Sequence, residues 1–90
     1  MMSRKTIIAG NWKMYNTSAE AETLVKGLLA GLGDVPADRE MLIFPSALYV
    51  RDVVKTAAGS KLSVGVQNMY VKAEGAFTGE NSPKMVKDCS

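Results

Sequence analysis

Apolar residues along the chain alternate between two spacings. Three short runs are apolar at nearly every position: Thr6-Ile7-Ile8, Met41-Leu42-Ile43-Phe44, and Leu62 to Val66 with polar or small residues interleaved. Between them the apolar positions recur at helical spacing. Leu24, Val25, Leu28, Leu29 and Leu32 form one stripe, and Tyr49, Val50, Val53, Val54 and Ala57 form another. The runs are the length of strands covered on both faces, as in a parallel sheet, and Ile7 and Ile8 are expected to be buried on opposite faces of the first. The pattern predicts strands over Lys5 to Trp12, Met41 to Phe44 and Leu62 to Gln67, with helices between. The order is βαβαβα, with right-handed crossovers. On the third strand, Leu62, Val64 and Val66 point one way and Ser63, Gly65 and Gln67 the other. The small and polar set is expected on a crowded inner face, where Gln67 needs a hydrogen-bond partner.

The boundaries carry their own signals. Thr17-Ser18-Ala19-Glu20 is a capping-box pattern for the first helix, which Gly31, Gly33 and Pro36 end. Pro45 stops the second strand, Ser46 is placed to cap the second helix, and Ala58-Gly59-Ser60 closes it. Ser82-Pro83 pairs an N-cap residue with proline at the first helical position, so a third helix starts there. Between Asn68 and Asn81 lies a loop whose length points to a functional or interactive role.

Composition narrows the function classes. Ninety residues, 47% of them hydrophobic, suit one small globular unit with a single core, and no internal domain boundary is indicated. A net charge of +2, with basic residues scattered, argues against nucleic acid and against an anionic membrane as partners. No apolar run approaches the roughly 20 residues that cross a bilayer. Met1-Met2-Ser3-Arg4-Lys5 is not followed by an apolar stretch of signal-peptide length, so the cytoplasm is the expected compartment. Cys89 is the single cysteine and there is no histidine. No internal disulfide can form, and the commonest general base and metal ligand is missing. The close carboxylates Glu20/Glu22 and Asp38/Glu40 have no ligand-type neighbours and read as solvated charge, so no metal is expected. Gly75-Ala76-Phe77-Thr78-Gly79 lacks the lysine and the strand-to-helix setting of a phosphate-binding loop. Asn16-Thr17-Ser18 matches a glycosylation sequon by chance.

Candidate chemistry sits where the first strand ends, at Ala9-Gly10-Asn11-Trp12-Lys13-Met14. Side chains at the C-terminal ends of strands in an α/β fold face the ligand crevice. In an extended chain Asn11 and Lys13 point to one side and Trp12 to the other. An amide and an ammonium on one face, anchored by a buried indole, suit an anionic, oxygen-rich ligand. The same two residues also read as solvated loop side chains.

A second string favours the ligand reading. A-G-N-W-K-M is followed, at fitting distance, by Val66-Gln67-Asn68-Met69-Tyr70, by Gly75-Ala76-Phe77-Thr78-Gly79-Glu80, and by Ser82-Pro83 and Lys87-Asp88-Cys89. Together these resemble the triosephosphate isomerase family over essentially the whole chain. The resemblance implies the first three βα units of the (β/α)8 barrel that the family gives its name to, a fold of roughly 250 residues, so that the barrel is incomplete in this chain. It also implies interconversion of glyceraldehyde 3-phosphate and dihydroxyacetone phosphate in glycolysis and gluconeogenesis. No cofactor is implied.

By that resemblance Asn11 and Lys13 contact the phosphorylated triose, Lys13 as a catalytic cation, and Gln67 and Glu80 support the site from behind. The 68–81 loop would enter a pocket of a second subunit, making a homodimer in which Met14, Tyr15, Phe77, Thr78 and Gly79 lie at the contact. The family's glutamate base, electrophilic histidine and closing loop match nothing in these residues, so the 90-residue chain alone is expected to be inactive. Two positions depart from the family pattern: Tyr15 stands where a small polar residue is usual, and Pro45-Ser46 replaces a frequent double proline. Two other readings remain: a small anion-binding module built on Asn11 and Lys13, and a self-associating βα fragment.

Overall fold

Three parallel strands in the order β1-β2-β3 organise the computed structural model, which describes residues 4–33 and 35–90. Met1 to Ser3, read above for a targeting signal, lie outside the described residues. The strands are β1, Thr6–Asn11; β2, Arg39–Phe44; and β3, Leu62–Val64. The helices are α1, Ser18–Leu32; α2, Val50–Ala57; and α3, Pro83–Asp88. This is an open α/β arc of three βα units, the fold class that the apolar periodicity predicts.

Register divides the sheet into two faces. Ile8 pairs with Met41 and Gly10 with Ile43, while Met41 and Ile43 pair in turn with Leu62 and Val64. Met41, Ile43, Leu62 and Val64 belong to the core packed under α1 and α2, with Ala21, Val25, Val53 and Ala57. By the alternation of a strand, Asn11, Phe44, Leu42 and Ser63 therefore lie on the opposite, inner face. Val25 is wholly buried, and Trp12, Leu28, Leu29 and Leu32 pack around the same cluster.

Several expectations are corrected. Ile7 and Ile8 are 61% and 50% exposed rather than covered: Ile7 shares the inner face with Asn11, opposite the helices, and Ile8 lies on the helix side at the open edge, where β1 has a neighbour on one flank only. Leu24 is exposed at the same edge: with Ile8, Trp12 and Leu28 it lines an apolar cleft of about 240 Å³ there. β3 stops three residues before the predicted end. Gly65 N–H still donates to the Ile43 carbonyl at 2.9 Å, but the residue just past the end of β2 is Pro45, which has no N–H to continue the ladder. Ser46 does precede the second helical segment, but its side chain makes no cap bond. Its carbonyl instead accepts from Tyr49 N–H at 2.9 Å, closing a 3₁₀ turn over Ala47–Tyr49 before α2 begins.

The other two helix starts follow the sequence. The Glu20 carboxylate accepts from Thr17 N–H at 3.0 Å and from the Thr17 hydroxyl at 2.7 Å, the return half of the box. The Ser82 hydroxyl, buried, accepts from Met85 N–H at 3.1 Å, with Pro83 at the first position of α3. The Thr17 backbone N–H, then its hydroxyl, hold the Glu20 carboxyl below its ordinary value of 4.5. A carboxyl depressed on folding stabilises the fold above its unfolded pKa, and that contribution fades as pH falls through the lower folded value. Glu20→Gln is therefore expected to lower the urea midpoint at neutral pH, with the gap to the parent closing well below pH 4.5. An equal gap at both ends of that range would show that the box carries no charge-dependent stability.

Candidate functional site

The end of β1 does not stay extended. Lys13 takes a left-handed conformation, φ 53°, so the simple same-side argument for Asn11 and Lys13 fails at that residue. What joins the two residues is a side-chain turn: Asn11 Oδ1 accepts from Lys13 N–H at 2.8 Å. That bond leaves the Asn11 amide nitrogen, beside the lysine, with no acceptor among the described residues. Between them Trp12 packs its indole on the core, and its main-chain N–H donates to the Phe44 carbonyl at 3.1 Å, extending the β1–β2 ladder by one bond. Asn16, also at positive φ (74°), completes the reversal before α1, in a residue type that tolerates it.

Gln67 is exposed rather than enclosed on a crowded inner face, yet it still finds partners. Its Nε2 donates to two main-chain carbonyls, that of Lys13 and that of Phe44, each at 2.8 Å. One amide thus links the chain after β3 to the ends of β1 and β2, and both its N–H groups are engaged. Lys13 is exposed, and among the described residues its ammonium enters no ion pair; the pair present is Lys26 with Glu22 on α1. A cation without an internal partner, on a turn pinned from two sides, is free to meet an external anion.

The other nominated residues gather elsewhere. The 68–81 loop closes on itself: Tyr70 N–H donates to the Asn81 carbonyl at 2.8 Å, and Glu80 N–H to the Phe77 carbonyl at 3.1 Å. The Tyr70 and Phe77 rings lie against each other with centroids 4.4 Å apart, so Phe77 is partly covered by its own loop rather than bare. That ring also packs against Gly75, where an added Cβ would come within 2.6 Å of it, so a side chain there would displace the stack. Thr78 and Gly79 are exposed beyond the stack. Met14 and Tyr15 are exposed at 95% and 72%, on the turn that follows Lys13. Within the described chain no hydrogen bond joins Glu80, or the loop tip, to the Asn11–Lys13–Gln67 group. Among the described residues there is no cluster of three or more potential metal ligands, and no helix long and apolar enough to cross a membrane.

Sequence reasoning missed Phe44. Its carbonyl accepts from both Trp12 N–H and Gln67 Nε2, and its ring lies on the inner face against Gly65. The available signal was the glycine: a glycine inside a strand pattern often marks a close approach by a neighbour.

Comparison with known proteins bears on the same stretch. The triosephosphate isomerase family model matches residues 6–90. A triosephosphate isomerase from Chloroflexus aurantiacus is 52% identical over 85 residues, covering 94% of this chain and 34% of the relative. One from Roseiflexus sp. is 50% identical over 88 residues, covering 94% and 33%. One from Trichodesmium erythraeum is 44% identical over 85 residues, covering 94% and 35%. The chain therefore spans about a third of the length of the curated relatives it matches. With three parallel βα units in the expected order and the family pattern running from β1 through α3, the chain belongs to the triosephosphate isomerase family.

Proposed function

We propose that this chain supplies the first-strand substrate contacts of an aldose–ketose isomerase acting on a phosphorylated triose, interconverting glyceraldehyde 3-phosphate and dihydroxyacetone phosphate in the cytoplasm as a step of glycolysis and gluconeogenesis. The observation that carries the reading is the Lys13 turn. Its ammonium has no internal counter-charge among the described residues, and its backbone is held by Asn11 on one side and Gln67 on the other.

The chemistry asks for such a group. Moving a proton between adjacent carbons of an aldose passes through an enediolate, whose oxygens gain negative charge as the carbon–hydrogen bond breaks. A fixed cation and an amide donor lower the barrier when they are already aimed at the place where that charge grows. Lys13 supplies the cation and Asn11 Nδ2 the donor. Gln67 and Glu80 act from behind, Gln67 through the Lys13 carbonyl. Proton transfer itself requires a base and an electrophile, which the family resemblance assigns to other parts of the barrel.

The 68–81 loop serves, in this reading, as the contact of a homodimer, with Phe77, Thr78 and Gly79 entering beside the Met14–Tyr15 turn of a second subunit. An exposed Met14 next to the site residue gives such a contact a direct route to Lys13. One observation favours a second reading, a self-associating βα fragment: the apolar residues Ile7, Ile8 and Leu24 stand open along the β1 edge.

In an intact barrel carrying this stretch, for instance residues 6–90 in place of the matching segment of the Chloroflexus aurantiacus relative, Lys13→Ala is expected to lower kcat/KM about a hundredfold or more. Near-normal kinetics would remove Lys13 from the reaction. In the same barrel Thr78→Arg should shift sedimentation towards the monomer and reduce turnover with it, and an unchanged dimer with unchanged rates would refute the loop's role. The 90-residue chain on its own is expected to show no isomerase activity and to associate in light scattering. A monodisperse monomer with a sharp thermal transition, or any measurable turnover, would contradict that expectation.

A further inference from the structure

The inner face beneath the Lys13 turn holds one close approach that the proposed chemistry does not yet use. Asn11 pairs with Phe44 across β1 and β2, and the ring of Phe44 lies over Gly65, the residue that follows β3. A Cβ built on Gly65 would stand 2.7 Å from ring atom Cδ1 and closer still to Cε1. No real side chain tolerates that separation, so the ring and the glycine are matched in size. The same two residues carry the main-chain bonds around the site. Gly65 N–H donates to the Ile43 carbonyl at 2.9 Å, keeping β3 against β2. The Phe44 carbonyl accepts from Trp12 N–H and from Gln67 Nε2.

We infer that Phe44 and Gly65 form a large–small pair that holds Gln67 over the Lys13 carbonyl, which makes Phe44 a positioning residue for the turn that presents Lys13. The inference rests on the assignment of Lys13 above. Gln67 lies two residues beyond Gly65 and reaches back across the sheet with both N–H groups engaged. A methyl group at position 65 has two ways to fit: the Phe44 ring swings aside, or β3 moves off β2. Movement of β3 carries the Gln67 amide, two residues past Gly65, away from the Lys13 and Phe44 carbonyls, whereas rotation of the ring alone would leave both main-chain acceptors in place. Bonds of 2.8 Å leave little slack before such a movement loses them.

The pair is testable in the barrel that carries residues 6–90 in place of the matching segment of the Chloroflexus aurantiacus relative. Gly65→Ala is expected to reduce kcat/KM about tenfold or more, since misplacing a reacting group by an ångström can cost up to about a hundredfold. It should also speed hydrogen exchange at the Trp12 amide, which donates to the Phe44 carbonyl. Phe44→Ala alone should also lower turnover and speed exchange at Trp12, and adding it to Gly65→Ala should cost no more than it costs alone, because the ring that the methyl meets is gone. Unchanged turnover and exchange in Gly65→Ala, or losses that simply add in the double variant, would overturn the inference. If Gly65→Ala does not fold, Phe44→Ala decides the matter against Phe44→Ala/Gly65→Ala. The two should match, and a further loss from the second substitution would count against the pair. Lys13→Ala in the same barrel reports separately on the underlying assignment, because exchange at Trp12 does not depend on what Lys13 does to substrate.

Discussion

Two hydrogen bonds from one amide determine how the three strands end. Gln67 Nε2 joins the carbonyls after β1 and at the end of β2, at a place where the ladder itself runs out because Pro45 offers no N–H. Magnitudes show why the bonds matter. A non-glycine residue in the left-handed region costs about 1–2 kcal/mol. An intramolecular hydrogen bond contributes about 0.5–1.5 kcal/mol net. The Asn11 bond to Lys13 N–H and the Gln67 bond to the Lys13 carbonyl are together of the size needed to offset the strain of φ 53°. Either bond alone would leave the balance near zero, and the turn would then sample other conformations. Rigidity at Lys13 is thus produced by residues far apart in sequence, with Gln67 acting across 54 positions.

The two faces of the sheet serve different ends. The outer face is ordinary core: Val25 and Ala21 from α1, Val53 and Ala57 from α2, and Met41, Ile43, Leu62 and Val64 from the strands beneath them. Burial of this kind is non-directional, and it tolerates changes of residue that keep volume. The inner face is directional. It carries Asn11, Phe44 and Gly65 in a row at the end of the strands, and there a single added carbon has nowhere to go. Stability is drawn mainly from one side of the sheet and geometry from the other.

Much of this was legible in the residues. Helix starts were, because they are local: Thr17 with Glu20, and Ser82 with Pro83, are contacts between near neighbours, so their spelling nearly determines them. The order of elements and the fold class followed from periodicity, and the family from two motifs in register. What was not legible depends on partners far away in sequence. Nothing local marks Lys13 as left-handed, since lysine has no preference for that region and the bonds that hold it there include one from Gln67. The early end of β3 reflects a missing donor at Pro45, just past the end of β2. The exposure of Ile8 and Leu24 reflects β1 being at an edge, and that of Ile7 an inner face opposite the helices, neither of which a run of apolar residues can announce. Ser46 had the right residue type and position, yet the chain closed a 3₁₀ turn through its carbonyl instead.

The construction of the 68–81 loop bears on what it does. A lid that opens and closes over a ligand needs few internal bonds, so that both positions are accessible at small cost. This loop is tied at its base by Tyr70 to Asn81, again near its tip by Glu80 to Phe77, and through its middle by the Tyr70–Phe77 stack. The tip residues Thr78 and Gly79 project from a frame that is already set. A segment ordered before it meets its partner avoids the entropy loss that a flexible one incurs on binding, and the difference accrues for every side chain held in place. Preorganisation therefore favours an insert that fits a fixed recess over a moving cover. That is the construction the proposed dimer contact would require of this loop.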